Sequence, residues 1–302
     1  MKLSVILITY NHAKYLKKAV DGILSQETDF DFEIIAIDDC STDGTIEMLR
    51  AYKKENPGRF RLMIRRKNLG RPTRNVYLAS MAARGEYLAY LEGDDYWTDN
   101  QKLQKQVDFL DSHPQYMGTT HSFTLIGEEG EPIQNESLER LYDWDGDYTF
   151  EDWKRGEAWP GQTASNVCRN FYHNGKLDYR ILYRAHDFID DGVIFTFILL
   201  QGPIFRFKAA MAAHRFVEKK EGESWNSIKL RRDYQIEEQE LKLRMMRWVE
   251  KNVGLTDFGK AKARRDFKAV AGLFVKNPSK RTYALLMSAF LYYIIHVNLG
   301  VK

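Results

Sequence analysis

The sequence predicts an α/β protein with a mostly parallel sheet and helices on both of its faces. Short, continuous runs of branched apolar residues alternate with helical patterns along the first third of the chain. A continuous apolar run is typical of a strand that is covered on both faces, whereas a strand with one solvated face alternates apolar and polar residues. Alternation of strands and helices in turn favours parallel pairing through right-handed crossovers.

Four apolar runs are expected to form the first strands of this sheet. They are Leu3–Ile8, Phe32–Ile37, Phe60–Arg65 and Glu86–Leu91. Helical patterns between them cover Ala13–Gln26, Thr42–Glu55 and Arg74–Arg84. Ser41 or Thr42 is a suitable N-cap for the second of these helices. Further along, Val193–Leu200 predicts a buried helix, and Ile204–Phe207 predicts the strand that follows it.

Composition excludes several classes of protein. Hydrophobic residues make up 44% and charged residues 29% of the 302 positions, which are values of a globular chain. The net charge of +3 is too small to favour a nucleic-acid-binding protein. Cys40 and Cys168 are the only cysteines and lack a metal-type spacing, which indicates a reducing compartment. The apolar run at Leu3–Ile8 is too short for a signal peptide, so we expect a cytoplasmic protein.

Polar clusters follow three of the predicted strands at the point where each strand ends. The clusters are TYNH at Thr9–His12, DDCSTDGT at Asp38–Thr45 and EGDD at Glu92–Asp95. Because ligands of open α/β sheets bind beyond the carboxyl ends of the strands, we expect these clusters to converge on one crevice. The EGDD acids would then bind Mg²⁺ or Mn²⁺ or contact a substrate, although a solvated acidic turn fits them equally well. No G-x-G-x-x-G motif and no P-loop is present, which argues against a dinucleotide-binding oxidoreductase.

Four motifs, in this order and at this spacing, resemble a known family. They are SVILITYNHAKYLKKAVDGILSQ, FEIIAIDDCSTDGT, KNLGRPTRN and ARGEYLAYLEGDDYW. Together they resemble the nucleotide-diphospho-sugar glycosyltransferases of family 2, which have the Rossmann-like GT-A fold. The resemblance is clear over residues 3–125 and weaker to about residue 227.

The resemblance implies roles for residues at the three strand ends. Thr9, Tyr10 and Asn11 match the loop that holds the nucleobase and ribose, and Asp39 matches the residue that binds uracil, which implies a UDP-sugar donor. Asp94 and Asp95 match the DxD-type position, where one acid contacts the ribose and the other binds the divalent metal, Mn²⁺ or Mg²⁺, on the diphosphate. We expect Asp95 to be the first candidate for the metal and Asp94, which also contacts the nucleotide sugar, to be the second. Glu92 stands where many relatives begin this motif with Asp, so we rank it below its neighbours.

Relatives also place a general base just before a buried helix. Spacing back from Gly202 points to Asp191, with Asp190 second and Asp187 third, although Asp191 and Asp190 would also serve as caps of the helix. The stretch MAAHRFVEKKEGESWN, at residues 211–226, resembles the closing strand and the mobile loop after it. His214 departs there from the usual Tyr-Arg-x-His pattern and is expected to pack or to face the acceptor. Trp225 on the loop fits a sugar platform or a surface anchor.

The last part of the chain differs in character. Residues 260–281 contain eight Lys or Arg and one acid, and residues 283–301 contain no formal charge. Such helices lie in an anionic membrane interface, or they pack as a hairpin on the catalytic domain or on a second subunit of a homo-oligomer. A spanning helix is not expected, because the segment is short and contains polar residues. We therefore predict a catalytic domain at 1–227, with a nucleotide half at about 1–125 and an acceptor half at about 126–227, and a helical extension at 228–302.

Two functions of different classes follow from these features. The first is an inverting, metal-dependent glycosyltransferase that acts on a glycan or glycolipid acceptor in cell-surface polysaccharide or lipopolysaccharide synthesis. The second is a catalytically silent relative that binds a sugar nucleotide or organises an assembly, and Glu92 and the altered histidine pattern are its only support. A nucleotidyltransferase ranks third, because the chain lacks a Gly/Arg/Lys-rich phosphate loop after the first strand.

Overall fold

The computed structural model describes residues 1–70, 72–155, 157–184, 191–217, 232–253 and 260–297. Its strands are β1 (Leu3–Thr9), β2 (Phe32–Asp38), β3 (Phe60–Ile64), β4 (Tyr87–Glu92), β5 (Tyr96–Trp97), β6 (Gly118–Ile126), β7 (Pro132–Ile133), β8 (Gly146–Tyr148), β9 (Val167–Arg169) and β10 (Ile204–Arg215). Its α-helices are α1 (Ala13–Leu24), α2 (Thr45–Glu55), α3 (Pro72–Ala82), α4 (Lys102–Ser112), α5 (Glu136–Leu141), α6 (Phe150–Arg155), α7 (Ile181–Arg184), α8 (Asp191–Leu199), α9 (Arg232–Val253), α10 (Lys260–Lys276) and α11 (Lys280–Val297).

All the strands belong to one sheet in the order β3-β2-β1-β4-β9-β6-β10-β5, with β7 paired to β6 and β8 paired to β10. Strands β3, β2, β1 and β4 run parallel, and β10 runs parallel to β6. Strand β9 is antiparallel to both β4 and β6. The mostly parallel α/β architecture predicted from the sequence is therefore confirmed.

The register of the first strands brings three loops to the same edge of the sheet. Thr9 at the end of β1 pairs with Asp38 at the end of β2, and Ile8 pairs with Glu92 at the end of β4. Strands β1 and β2 are buried along their whole lengths, as their continuous apolar runs predict. The loops after β1, β2 and β4 therefore start side by side on a rigid base.

Strand β10 differs from the prediction in its length. The sequence suggests a short strand at Ile204–Phe207 and a separate closing strand from Met211, but the structure has one strand through Arg215. Its register against β6 shifts twice, between Phe207 and Ala210 and between Ala210 and Ala212. Such bulges let a strand continue past a local irregularity and change its twist. The bulged strand carries His214 and Arg215 to the edge of the sheet where the three loops lie.

The chain divides into two compact units. The first comprises Met1–Phe150, Ala158–Tyr183 and Asp187–Phe216, and the second comprises Glu151–Glu157, Arg184–His186 and Val217–Lys302. The first unit contains the sheet and the buried helix α8, which confirms the buried helix predicted before Gly202.

Three long helices dominate the second unit. Helices α10 and α11 form a hairpin in which Phe267 stacks on Tyr293, with ring centroids 5.4 Å apart. Helix α9 joins α11 through a hydrogen bond from the Tyr292 hydroxyl to Glu250 Oε1 at 2.7 Å. None of the helices in the described part of the chain is both long and apolar enough to cross a bilayer.

Candidate functional site

The loop after β1 is locked onto the loop after β2. The hydroxyl of Thr9 donates to Asp38 Oδ2 at 2.8 Å. Asn11 has a φ of 53°, its backbone N–H donates to Ser41 Oγ at 2.9 Å, and its side-chain oxygen accepts from Thr42 N at 2.9 Å. The left-handed backbone of Asn11 is tolerated because asparagine adopts this region more readily than most residues. Tyr10 projects from the locked loop as an exposed ring.

The two acids that end β2 have different surroundings. The fully buried carboxylate of Asp38 accepts hydrogen bonds from Thr9 and from the backbone and hydroxyl of Ser41, the last at 2.6 Å. Asp39 accepts from the backbone N–H groups of Leu69 at 3.2 Å and Gly70 at 3.1 Å. Asp38 thus fixes its own loop, whereas Asp39 holds the segment between β3 and α3. This segment contains the first part of the KNLGRPTRN motif, whose last four residues begin α3.

The predicted N-cap of α2, Ser41 or Thr42, is wrong because Asp38 accepts the hydrogen bonds of Ser41. Ser41 turns its hydroxyl towards Asp38, and the helix begins only at Thr45, after Gly44 with a φ of 98°. Asp43 Oδ1 accepts from the Thr45 backbone N–H at 3.0 Å, and Thr45 Oγ1 accepts from the His12 N–H at 2.9 Å. The polar residues of this loop therefore connect the loops after β1 and β2, and Asp43, not Ser41 or Thr42, accepts from the first N–H of α2.

The loop after β4 approaches the first loop so closely that only glycine fits. Gly93 N–H donates to the Ile8 carbonyl at 2.8 Å. A Cβ atom on Gly93 would lie 2.7 Å from His12 Nδ1 and 2.9 Å from Thr9 Cγ2. His12 Nδ1 is buried and has no hydrogen-bond partner among the described residues, and its Nε2 lies 3.9 Å from Asp94 Oδ1. The absent side chain at 93 is therefore what permits the contact between these two loops.

Asp94 and Asp95 point to different environments. Asp95 is 2% exposed, and its two oxygens accept from His214 Nδ1 at 2.9 Å and from the Arg215 backbone N–H at 2.7 Å. The pKa of Asp95 is raised from its usual value. Burial is the largest cause, the charge of Asp94 acts in the same direction, and the contact with the His214 ring opposes them. The Asp94 side chain is 32% exposed. Asp94 is thus the acid that a ligand reaches most easily, while Asp95 joins its loop to β10.

Arg215 connects the acidic loop to two further elements. Its Nε donates to the Asp94 carbonyl at 3.0 Å, and its Nη1 donates to the carbonyls of Gly127 at 2.5 Å and Glu128 at 2.8 Å. Its guanidinium lies 4.1 Å from the centroid of the Tyr15 ring on α1, which is a cation–π distance. This cation fixes the backbone of Asp94. Arg215 lies in the stretch at 211–226 that resembles the closing strand, but that resemblance assigned it no role in the site.

Other residues near the site were also missed or only partly assigned. His214 packs edge-on against Phe123, with centroids 5.7 Å apart, and it contacts Asp95 as well. Asp38 belongs to the same motif as Asp39, but the motif alone does not show that the first acid faces inward. The contact between His12 and Gly93 could have been predicted from the sequence, because a glycine within an acidic cluster is typical of a place where two backbone segments approach closely.

Some predicted residues lie outside what the structure describes. Asp191 is the first residue of α8, but its side chain is not described. Asp190, Asp187 and Trp225 lie outside the described residues. The roles predicted for them stay predictions.

The described residues contain no group of three or more His, Cys, Asp or Glu side chains placed to hold a metal ion. The chemistry of the acidic loop nevertheless fits a cation that is shared with a ligand, because Mg²⁺ commonly binds to one or two carboxylates together with phosphate oxygens and water. Asp94 supplies an open carboxylate for this purpose. A metal on Asp95 stays a prediction, since both of its oxygens already accept hydrogen bonds.

Sequence comparison identifies relatives of the chain. The family model described as Glycosyl transferase family 2 matches residues 4–186. An uncharacterized protein of Mycobacterium tuberculosis is 36% identical over 178 residues, which are 59% of this chain and 46% of that protein. The putative teichuronic acid biosynthesis glycosyltransferase TuaG of Bacillus subtilis is 34% identical over 132 residues, or 43% of this chain and 50% of TuaG. The matches thus span about half the length of these relatives.

Solved structures share the fold at low sequence identity. Residues 1–349 of Staphylococcus aureus TarS in complex with UDP-GlcNAc superpose with a TM-score of 0.55 and 18% identity, covering 98% of this chain and 89% of that one. The mannosyltransferase PcManGT of Pyrobaculum calidifontis, in complex with GDP-Man and Mn²⁺, gives a TM-score of 0.51 and 16% identity over 100% of this chain and 76% of that one. These likenesses show the GT-A fold. Because the family model also covers more than half of the 302 residues, the chain belongs to glycosyltransferase family 2.

Proposed function

We propose that this protein is an inverting glycosyltransferase that moves a sugar from a UDP-sugar to an acceptor hydroxyl. The observation that carries the proposal is the convergence of three loops of a family 2 chain at one edge of the sheet. Thr9, Tyr10 and Asn11 lie in the first of these loops, Asp39 in the second and Asp94 in the third. Hydrogen bonds between the loops hold this edge in place before any ligand arrives.

The surroundings of Asp39 support a uridine nucleotide. A carboxylate accepts hydrogen bonds, and the N3–H of uracil is a donor on the edge of that base. Tyr10, in the neighbouring loop after β1, has an exposed ring, and aromatic faces stack on nucleobases. TarS has been solved with UDP-GlcNAc and PcManGT with GDP-Man, so relatives of this fold accept different bases. Comparison of UDP with GDP binding therefore tests the donor assignment directly.

Asp94 is the residue that we propose to hold the divalent cation, with Asp95 as the second candidate. A cation at this place, Mn²⁺ or Mg²⁺, would neutralise charge on the departing diphosphate. Asp95 fixes the loop through its contacts with His214 and the Arg215 backbone, and Arg215 holds the Asp94 carbonyl. The Asp94 carboxylate therefore projects from a backbone that is held on both sides.

For the general base we propose Asp191, with Asp190 as the second candidate. The base removes the proton of the acceptor hydroxyl, whose oxygen attacks the anomeric carbon as the bond to the diphosphate oxygen breaks. Attack opposite the leaving group inverts the anomeric configuration. Asp191 begins α8, and the buried residues Val193–Leu199 anchor that helix in the core.

The general base can be tested with isosteric variants. Asp191→Asn keeps the size of the side chain but removes the proton acceptor, so the rate of transfer should fall by roughly a hundredfold or more. UDP affinity should stay the same, because the donor residues lie on other loops. Asp190→Asn should have a smaller effect and serves as the matched comparison. If both variants transfer sugar at the original rate, the assignment is wrong, and Asp187→Asn is the next variant to measure.

The acceptor is proposed at the level of its class. TuaG is named for teichuronic acid biosynthesis and TarS as a poly(ribitol-phosphate) β-N-acetylglucosaminyltransferase, so a cell-surface glycan or glycolipid is the acceptor class that we propose. Both cysteines are free, which suits activity in the cytoplasm. The alternative of a silent sugar-nucleotide binder rests on Glu92 and on the altered histidine pattern at His214. It predicts donor binding without transfer.

A further inference from the structure

Helix α11 is apolar on two opposite faces. One face is buried, and its residues recur at steps of three and four: Thr282, Leu285, Ala289 and Tyr292. The other face is exposed, and we call it the outer stripe: Tyr283, Met287, Phe290, Leu291 and Ile295. At about 100° per residue, the two sets point to opposite sides of the helix. The buried set faces the core of the helical unit, and the outer stripe faces away from it.

Single exposed apolar residues are ordinary, but the outer stripe is continuous. Its members are between 39% exposed, at Met287, and 55% exposed, at Leu291. A surface helix normally carries charged or polar residues on its outward face, whereas residues 283–301 contain no formal charge. A contiguous apolar patch of this kind marks a surface that binds another molecule or a membrane.

Aromatic contacts fix the outer stripe to the neighbouring helix. The Phe290 ring lies 5.8 Å from Phe267, and the Tyr283 ring lies 6.0 Å from Phe274, both measured between centroids. Phe267 and Phe274 belong to α10, so one edge of the stripe packs against this helix while the rest of the stripe stays exposed. Tyrosine is enriched where a protein meets the interface of a bilayer, and helices that lie in that interface carry Phe and Leu on their apolar faces.

The charge of the hairpin decides which molecule covers the outer stripe. Residues 260–281 carry eight Lys or Arg against one acid, which gives this segment a net charge of +7. Arg264, Lys268, Lys276 and Lys280 are exposed members of the segment. A two-fold dimer through the stripe would bring two such segments to the same interface, where like charges repel. Anionic lipid headgroups would neutralise them instead.

We propose that the α10–α11 hairpin binds the surface of an anionic lipid bilayer. The outer stripe lies in the boundary between headgroups and acyl chains, and the exposed cations Arg264, Lys268, Lys276 and Lys280 lie among the headgroups. The hairpin rests on the membrane and does not cross it. The inference depends on the hairpin alone and not on the proposed transferase function, so either can fail without the other.

Co-sedimentation of the full chain with vesicles tests the proposal. We expect binding to vesicles that contain phosphatidylglycerol, little binding to pure phosphatidylcholine, and weaker binding at high ionic strength. Met287→Glu combined with Leu291→Glu should lower the partition coefficient by roughly tenfold or more, because two charges would enter the apolar boundary. Gln235→Glu combined with Asn252→Glu adds the same charge at exposed positions of α9 and should keep most of the binding.

Three results would overturn the proposal. One is equal binding of the wild-type chain to anionic and neutral vesicles, and another is unchanged binding of the Met287→Glu, Leu291→Glu variant. The third is a wild-type dimer in lipid-free light scattering that this variant converts to a monomer, because the stripe would then be a subunit interface. Should circular dichroism show that the variant is unfolded, Lys268→Glu combined with Lys276→Glu replaces it, and unchanged binding of that pair overturns the proposal equally.

Discussion

Two buried acids, Glu33 on β2 and Asp95 in the loop after β4, illustrate how neighbouring residues set the pKa of a carboxylate. Glu33 on β2 is fully buried, and it accepts from Ser4 Oγ at 2.8 Å, Arg84 Nη2 at 2.8 Å and Arg61 Nη1 at 3.0 Å. Burial by itself would raise the pKa of Glu33, but these hydrogen bonds, led by those from Arg84, lower it to about 2. Asp95 has fewer donors, and burial raises its pKa. Glu33 is therefore a structural group that is ionised at neutral pH.

The lowered pKa of Glu33 predicts how the free energy of unfolding depends on pH. A lowered pKa in the folded state stabilises the protein above the unfolded value of 4.5, and this contribution is lost as the pH falls towards about 2. Glu33→Gln should lower the free energy of unfolding by about 1–3 kcal/mol at neutral pH, because the arginines lose a charged acceptor. Urea denaturation from pH 7 downwards should show the difference from the wild type shrinking below pH 4.5.

Glu86→Gln is the control for this series. Glu86 pairs with Lys2 at 3.1 Å, but its side chain is 56% exposed, so its loss should have little effect. A deficit of Glu33→Gln that stayed constant down to pH 3 would contradict the ionised state assigned to Glu33.

At the residue scale, motif spacing was enough to predict which acids belong to the site, but not which of them are buried and which are open to a ligand. Asp39, Asp94 and Asp95 could be chosen because they follow predicted strands. Which of Asp94 and Asp95 faces inward depends on His214 and Arg215, which lie about 120 residues further along the chain. A local pattern does not contain this information, because it arises only when β10 joins the sheet.

At the scale of the elements, the buried strands were predictable because each is a single continuous apolar run. Strands β1 and β2 begin and end within one residue of the prediction. The errors occur where tertiary contacts compete with local preference. Ser41 contacts Asp38 instead of capping α2, and the bulges of β10 join two segments that read as separate strands.

The tight contact between the loops after β1 and β4 can be tested by adding one methyl group. Gly93→Ala would place a Cβ 2.7 Å from His12 Nδ1 and 2.9 Å from Thr9 Cγ2, so the side chains of His12 and Thr9, or the loop between them, must shift. Since overpacking of this kind costs about 1–3 kcal/mol, we expect UDP affinity to fall by about tenfold. Isothermal titration calorimetry measures this change.

Gly58→Ala is the matched control, because a Cβ at Gly58 meets nothing within 4 Å. Its UDP affinity should equal that of the wild type. Equal affinities for Gly93→Ala and the wild type would show that the loop does not contact the nucleotide as proposed.

At the scale of the whole molecule, the two units carry different proposals. The sheet unit contains the three loops of the proposed donor site, whereas the second unit contains the cationic hairpin. The family match ends at residue 186, so the resemblance gives little information on the function of the residues that follow. Composition could still predict a helical extension in which a basic segment, residues 260–281, precedes a segment without formal charge, residues 283–301. It could not choose between a membrane and a second subunit, because that choice needs the exposed face of α11.

The most direct test of the proposed donor site is calorimetric titration of UDP with and without Mn²⁺. We expect the wild type to bind UDP more tightly with Mn²⁺ than with EDTA, and Asp94→Asn to lose that metal-dependent gain. Asp39→Asn should weaken UDP binding whether or not the metal is present. Asp21→Asn, the same change at an exposed position of α1, should behave as the wild type. Full metal-dependent affinity in Asp94→Asn together with unchanged UDP affinity in Asp39→Asn would contradict a sugar-nucleotide site at the ends of β1, β2 and β4.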